Sequence, residues 1–311
     1  MLYLESSAFI LAGIGIFLYR MYCKKALHPA SLLLFLAIGA VLFYFESVQL
    51  AQLPMLLGGI LIFNAIIESY GTREHSLYLL AGLAFVLAEF SLSYEYGLVL
   101  ASQAILAGLL SGVERVGRKK MKRKRIVEKN VEMKRNAVQT AGGLVFILLS
   151  VFAGWPAEYA FIVLVLFLGF WLGSYATMNR KSLLNTALSG LERRGTRLGF
   201  GAIWLAIGTF FAISFLNPYM VPVVFGAIYI ADSFSTVIGV NYGTVKLPYN
   251  KDKSVLGTLS YFIVSSAIAY LFLGPVGVLV GAIAAITESL RLPIDDNMSV
   301  AVVLVATLLL I

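Results

Sequence analysis

An aspartate, Asp232, lies inside a long apolar run in the C-terminal half of the chain. A carboxylate at membrane depth is costly, so it is expected to face the interior of a helix bundle or a water-filled cavity. Ser235, Thr236 and Gly239 follow it at helical spacing, which predicts one small, polar helix face. Such an acid is a candidate for metal binding or catalysis. The alternative is a hydrogen-bonded packing face with the acid partly protonated.

A loop rich in glycine and lysine follows this helix. Glycines there permit tight turns and close backbone approach. Lysines supply compact positive charge for phosphates, and the backbone N–H groups at the helix start near Ser254 are suited to an anion. Cytosolic loops are often rich in lysine, so the loop indicates a phosphate site only in combination with Asp232. Its candidate nucleotide-binding residues are Gly239, Gly243, Lys246, Lys251, Lys253, Ser254, Gly257 and Thr258.

A second apolar helix that carries a carboxylate is predicted before residue 290. Gly277, Gly281 and Ala285 form a ridge of small residues, which lets a neighbouring helix approach closely. Glu288 continues this ridge at helical spacing. The pattern therefore predicts that Glu288 points into the bundle and not at lipid.

Three more polar residues, Asp295, Asp296 and Asn297, follow a proline that ends this helix. Either Asp295 or Asn297 is suited to cap the last helix. Capping does not explain so many acids close together on an otherwise acid-poor face. Hard oxygen ligands suit Mg²⁺, which usually takes one or two carboxylates plus substrate phosphates. Phosphoryl transfer needs both metal-binding acids and phosphate-binding cations. The molecule that accepts the phosphate is expected to arrive through the membrane.

The elements that position these residues are predicted to be membrane helices. The chain has 311 residues, of which 60% are hydrophobic and 13% charged. Apolar runs of roughly 17 to 20 residues recur, as bilayer crossing requires. We expect an all-α polytopic membrane protein with about 11 to 12 transmembrane helices. The predicted spans lie near 4–20, 29–47, 50–68, 76–93, 96–113, 136–154, 157–177, 198–216, 219–239, 255–273, 276–290 and 297–311.

The basic residues predict which side each loop faces. All 24 Lys and Arg fall in one alternating set of loops, and the other loops hold none. Positive residues mark the cytoplasmic side, so the charged loops and the candidate site are predicted to be cytosolic and both termini outside. The active site is then expected at the cytosolic ends of the C-terminal helices.

A basic run divides the chain into an N-terminal membrane region of about five helices (1–113), a cytosolic loop (114–135) and a catalytic membrane domain of about six to seven helices (136–311). The loop mainly sets orientation, and contact of 115–135 with anionic headgroups is the alternative. No aromatic residues interleave its charges, so nucleic-acid binding is not expected.

The pattern "ADSFSTVIGVNYG…NKDKSVLGT" followed by "ESLRLPIDDN" resembles the CTP-dependent isoprenoid-alcohol kinases, namely the dolichol kinases and, more closely, the phytol kinases. These belong to one membrane superfamily with the phosphatidate cytidylyltransferases. The resemblance covers about residues 134 to 311. It implies transfer of the CTP γ-phosphate to the hydroxyl of a long isoprenoid alcohol, with Mg²⁺ or another divalent metal.

The resemblance also implies roles for individual residues. Asp232 and the 239–258 loop bind nucleotide and metal, with Lys253 and Ser254 on the phosphates. The remaining acids and the amide of Asn297 complete the site. The candidate catalytic residues are Asp232, Glu288, Asp295 and Asp296; the candidate metal ligands are Asp232, Glu288 and Asp296; Asn297 joins the nucleotide-binding set.

Three positions differ from the family pattern. Leu256 stands where a glutamate is usual. Asn136 and Gln139 stand in place of the lysine and the histidine of an Arg-Lys-x-x-His entry to the first core span. Two alternatives therefore stay open. One is a cytidylyltransferase that makes a CDP-activated lipid, although the longer signature of the phosphatidate enzymes is not found. The other is a lipid-binding or transport homologue without turnover.

Overall fold

The computed structural model describes residues 53–92, 101–109, 129–192, 198–292 and 295–311. These residues are mostly helical, without a β-strand among them, which confirms the all-α expectation for this part of the chain. The predicted spans near 4–20 and 29–47, both ends of the span near 96–113, and the basic loop up to residue 128 lie outside the described residues.

The described helices are α1 (Leu53–Glu68), α2 (His75–Leu92), α3 (Lys129–Phe152), α4 (Trp155–Met178), α5 (Leu183–Ser189), α6 (Phe200–Phe215), α7 (Val221–Phe225), a π-helix (Gly226–Ala231), α8 (Asp232–Tyr242), α9 (Val255–Leu273), α10 (Val276–Ser289) and α11 (Asp296–Leu308). Residues 101–109 are also helical. Helix α7, the π-helix and α8 run on without a break.

Four of these helical stretches are long and apolar enough to cross a membrane: Lys129–Phe152, Pro156–Met178, Val221–Tyr242 and Val255–Leu273. Further described helices are apolar but 10–17 residues long. The larger count of 11 to 12 spans stays a prediction. Helix α3 begins at Lys129, inside the segment predicted as loop over 114–135. Its first turns are rich in Lys, Glu, Met and Arg, which form helix readily although they are too polar to register as a span.

Helix α3 shows how polarity is distributed across a membrane-type helix. Its buried face carries Asn136, Gln139, Gly143 and Ser150, among others. Its opposite face exposes large apolar side chains, including Leu144, Leu148, Val151 and Phe152. Exposed apolar surface of this kind is unusual for a protein in water. Helix α3 therefore places polar groups inside and apolar groups outside, as lipid contact requires.

The described residues form two compact units. The first holds residues 53–92, 101–109 and 170–179, and the second holds 129–169, 180–192, 198–292 and 295–311. In the first unit, His75 is 1% exposed. Its Nε2 donates to the carbonyl of Phe170 at 3.2 Å, and its Nδ1 lies within hydrogen-bond distance, 3.1 Å, of the hydroxyl oxygen of Ser69. Both ring nitrogens are thus satisfied, and packing accounts for this histidine.

In the second unit, α9 and α10 approach closely along the predicted ridge of small residues. A Cβ atom built on Gly277 would lie 2.5 Å from the backbone nitrogen of Tyr270, and one on Gly281 would lie 2.5 Å from Cα of Ser266. The hydroxyl of Ser265 donates across the interface to the carbonyl of Gly281 at 3.2 Å. The ridge is confirmed, and it continues to the buried Glu288 as expected.

We expect Gly277→Ala to destabilise the protein by about 1–3 kcal/mol, because its new methyl group overlaps the backbone of α9. Gly169→Ala is the matched control, since no atom of the described residues outside its own stretch of helix lies within 4 Å of its added Cβ. That control should be neutral or gain up to about 1 kcal/mol of helix propensity. Thermal unfolding in detergent measures both. Equal melting temperatures for the two variants would contradict the close contact.

Candidate functional site

Four of the predicted site residues meet in the second unit. The ammonium of Lys253 donates a hydrogen bond to Oε1 of Glu288 and lies 3.1 Å from Oδ2 of Asp296. Asp232 interacts electrostatically with the same ammonium. We name Asp232, Lys253, Glu288 and Asp296 the carboxylate–lysine cluster. The three predicted metal ligands therefore surround a lysine predicted to bind phosphate.

Exposure is graded across the carboxylate–lysine cluster. The side chain of Glu288 is 4% exposed, that of Lys253 is 23% exposed and that of Asp296 is 43% exposed. Burial alone would lower the pKa of Lys253, but the carboxylates around it outweigh burial and raise the pKa above the ordinary lysine value. The lysine is therefore an ammonium at physiological pH. Its single positive charge faces three carboxylates, so the fully ionised cluster has an excess of two negative charges.

Lys253 reaches the cluster from a short hairpin, residues 243–254, which we name the lysine hairpin. An isolated antiparallel bridge pairs Lys246 with Ser254, and the backbone nitrogen of Leu247 donates to the carbonyl of Lys253 at 3.1 Å. The tip is fastened to the end of α10, where Nδ2 of Asn250 donates to the carbonyl of Ser289 at 2.9 Å. The hairpin is thus held beside Glu288, and Lys253 is directed inward.

The predicted glycines lie where α8 meets the start of α9. Ser254 caps α9 by accepting from the backbone nitrogen of Gly257 at 3.2 Å. A Cβ on Gly239 would lie 3.0 Å from Oγ of Ser254, and one on Gly257 would lie 3.1 Å from the carbonyl oxygen of Ser235. The Gly257 N–H, one of those predicted to receive an anion, is therefore engaged by the cap. The glycines permit this helix contact, and their nucleotide role stays a prediction.

The remaining predicted residues lie around the cluster with different surroundings. Lys246 and Lys251 are exposed on the lysine hairpin. Asp295 is the N-cap of α11 and accepts from the backbone nitrogen of Asn297 at 3.2 Å, so the capping alternative is confirmed for Asp295. Asn297 is half-buried in the first turn of α11. The hydroxyl oxygen of Thr258 is buried and has no hydrogen-bond partner among the described residues.

Gln139 is a site residue that sequence reasoning treated only as a departure from the family pattern. Its Nε2 donates to Oδ2 of Asp232 at 2.9 Å and to the carbonyl of Ile228 at 2.8 Å. Both amide hydrogens are therefore used, and one oxygen of Asp232 is fixed. The available signal was a glutamine at the helical spacing of the polar face of α3.

The π-helix at Gly226–Ala231 ends directly before Asp232. The backbone nitrogen of Asp232 donates to the carbonyl of Ala227, five residues earlier, and this wider turn leaves carbonyls accessible to side chains. The hydroxyl of Tyr261 also donates to the carbonyl of Ala227, at 3.1 Å. The span near 219–239 was predicted as a membrane helix, and the π segment was not part of that prediction. Such segments inside α-helices frequently lie at functional sites.

The donor set fits a hard divalent cation. Oε2 of Glu288 is buried and without a hydrogen-bond partner in the described part of the chain. The cluster offers carboxylate oxygens and an excess of negative charge, which suits Mg²⁺. No group of three or more His, Cys, Asp or Glu side chains within the described ranges is arranged to hold a metal by itself. Mg²⁺ usually binds through one or two carboxylates together with phosphates and water.

Comparisons with known proteins add one similarity. A relative from Methanocaldococcus jannaschii, an uncharacterized protein, is 37% identical over 115 residues, which are 36% of this chain and 59% of the relative. The chain therefore matches less than two thirds of that relative's length. No family model matches the chain, and no solved structure matches it.

We expect Lys253→Met to destabilise the protein by about 3 kcal/mol, because it leaves the buried Glu288 without its partner. Lys246→Met is the matched control on the same hairpin, where the lysine is exposed, and it should change stability by less than about 0.5 kcal/mol. The double variant Lys253→Met/Glu288→Gln should recover part of the loss. Unfolding in detergent measures all three. Indistinguishable single variants would disprove the structural pairing.

Proposed function

We propose that this chain is a membrane phosphotransferase that moves the γ-phosphate of CTP to the hydroxyl of an isoprenoid alcohol. The observation that carries the proposal is the carboxylate–lysine cluster, which brings a lysine and three acids together from the hairpin and three helices. Phosphoryl transfer requires cations that hold phosphates and a group that orients the attacking hydroxyl. The choice of CTP and of an isoprenoid acceptor rests on the family resemblance.

Each residue has a distinct task in this proposal. Lys253 holds phosphate oxygens, which would replace part of its pairing with Asp296 at the more exposed side of the cluster. One or two of the carboxylates of Asp232, Glu288 and Asp296 would hold Mg²⁺ together with phosphate oxygens, and the metal would neutralise part of the phosphate charge. Asp232, fixed by Gln139, orients the alcohol and receives its proton. The alcohol oxygen attacks the γ-phosphorus, the bond from that phosphorus to the β–γ bridging oxygen breaks, and CDP leaves.

The acceptor enters from the lipid. Long helices in the second unit expose apolar side chains, and the buried face of α3 contacts Asp232 through Gln139. The predicted cytosolic side of the charged loops agrees with this proposal, because CTP is a cytosolic substrate. Headgroup contact by the basic segment 115–135 fits the same side of the membrane.

A paired-label assay tests the reaction. Purified protein, Mg²⁺ and a panel of isoprenoid alcohols and lipid phosphates are incubated with CTP labelled on either the γ- or the α-phosphate. Label in the lipid from the γ-phosphate alone supports the kinase. Label from the α-phosphate alone would make the chain a CDP-lipid synthase. No label, from protein that melts cooperatively, would favour a lipid-binding homologue without turnover.

We expect Asp232→Asn and Asp296→Asn each to reduce transfer by at least roughly 100-fold, because each removes a charge that acts on the reacting groups. Asp252→Asn is the matched control, since Asp252 is exposed on the lysine hairpin, and it should retain full activity. Melting temperatures verify that all three variants are folded. Wild-type turnover in both site variants would refute the assignment.

A further inference from the structure

Asn136 on α3 is a buried amide. The residue is 2% exposed, and both Oδ1 and Nδ2 lack a partner among the described residues. Buried polar side-chain atoms are paired in the large majority of cases, and an unpaired one opposes folding. Leucine would fill such a position at lower cost. An asparagine that destabilises the ligand-free protein is expected to have a hydrogen-bond partner in the ligand-bound protein.

Asn136 lies beside the carboxylate–lysine cluster. It is one turn before Gln139 on the buried face of α3, and the amide of Gln139 contacts Asp232. The hydroxyl of Ser233, next to Asp232 in the chain, donates to the backbone carbonyl of Asn136 at 3.3 Å. From residue 137 onward, the opposite face of α3 is apolar and exposed.

Other unpaired polar atoms belong to the same region. Of eight such atoms among the described residues, five belong to Asn136, Thr258, Glu288 and Ser299. Thr258 is one turn before Tyr261, which interacts electrostatically with the three acids of the cluster, and Ser299 is one turn after Asp296. These five unpaired atoms thus lie on α3, α9, α10 and α11, of which α10 and α11 carry Glu288 and Asp296 of the cluster, as expected if a polar group binds there.

We propose that the carboxamide of Asn136 binds the hydroxyl of a membrane-dissolved alcohol, so that Asn136 is an acceptor-binding residue. This inference rests on the proposed function and deepens it. An amide offers one donor side and one acceptor side, and a hydroxyl group donates and accepts in turn. A lipid hydroxyl is favoured over a nucleotide base for two reasons. The other side of α3 exposes apolar side chains, as lipid contact requires. The lysines predicted to bind phosphate are on the lysine hairpin and not on α3.

Two variants of α3 test the proposal by binding, without turnover. Tritiated geranylgeraniol in detergent micelles is titrated into wild type, Asn136→Leu and Val138→Leu, with no nucleotide present. We expect Asn136→Leu to weaken binding roughly 10-fold through the lost hydrogen bonds. Val138→Leu, whose side chain is exposed on the lipid-facing side, should bind as wild type does. The melting temperature of Asn136→Leu should equal or exceed that of wild type, because no unpaired amide remains.

Measurements with nucleotide present distinguish an alcohol from a nucleotide as the ligand of Asn136. The stabilisation of Asn136→Leu by CTP and Mg²⁺ should match that of wild type, and in the transfer assay only the KM for the alcohol should rise. Unchanged alcohol binding, or a selective loss of CTP stabilisation, would overturn the proposal. So would a wild type that does not bind the alcohol. If Asn136→Leu does not fold, Asn136→Ala provides the same comparison.

The two proposals can fail separately. Wild-type protein that binds the alcohol through Asn136 but transfers no label would refute the kinase and support the acceptor site. Transfer that proceeds with an unchanged KM in Asn136→Leu would support the kinase and refute the role of Asn136.

Discussion

Glu288 is buried at the end of an apolar helix, and its charge must be matched inside the protein. A buried carboxylate with no partner would cost several kcal/mol, so an oppositely charged group has to reach it. Lys253 does so from a hairpin and not from a helix. The hairpin must therefore be fastened close by, which the bond from Asn250 to Ser289 achieves. Asp296, which begins α11, completes the lysine's surroundings. The pairing of one lysine thus connects the hairpin, α10 and α11.

The burial of this ion pair depends on how closely the helices pack. Gly277 and Gly281 let α10 lie against the backbone of α9, and Gly239 and Gly257 do the same for α8 and α9. In lipid, such contacts replace the hydrophobic driving force that is missing between apolar helices. The π-helix contributes in another way. Its wider turn leaves a backbone carbonyl available to accept a hydrogen bond from Gln139 next to Asp232. Close packing and one irregular turn together position the acids.

Much of this arrangement was readable from residue types and spacing. The predicted span 255–273 coincides with α9, and the glycine ridge of α10 ends at a buried Glu288 as expected. The π-helix was not predictable, because apolar residues are continuous through Gly226–Ala231 and an irregular turn leaves no mark in their periodicity. The early start of α3 was missed because a hydropathy pattern detects lipid contact and not helix. Asp295 and Asn297 were equally suited to cap α11, and only the backbone geometry distinguishes them.

The two amides of α3 clarify what the polar interior is for. Asn136 and Gln139 have the same functional group, lie one turn apart and are both buried. The amide of Gln139 is satisfied by Asp232 and the π-helix, so fixing the site accounts for it. The amide of Asn136 has no such partner within the described residues, so packing alone does not account for it. Unpaired polar atoms next to a charged cluster lower the stability of the ligand-free protein, because no hydrogen bond compensates for their burial. Any ligand that pairs with them therefore stabilises the fold as it binds, which couples site occupancy to stability.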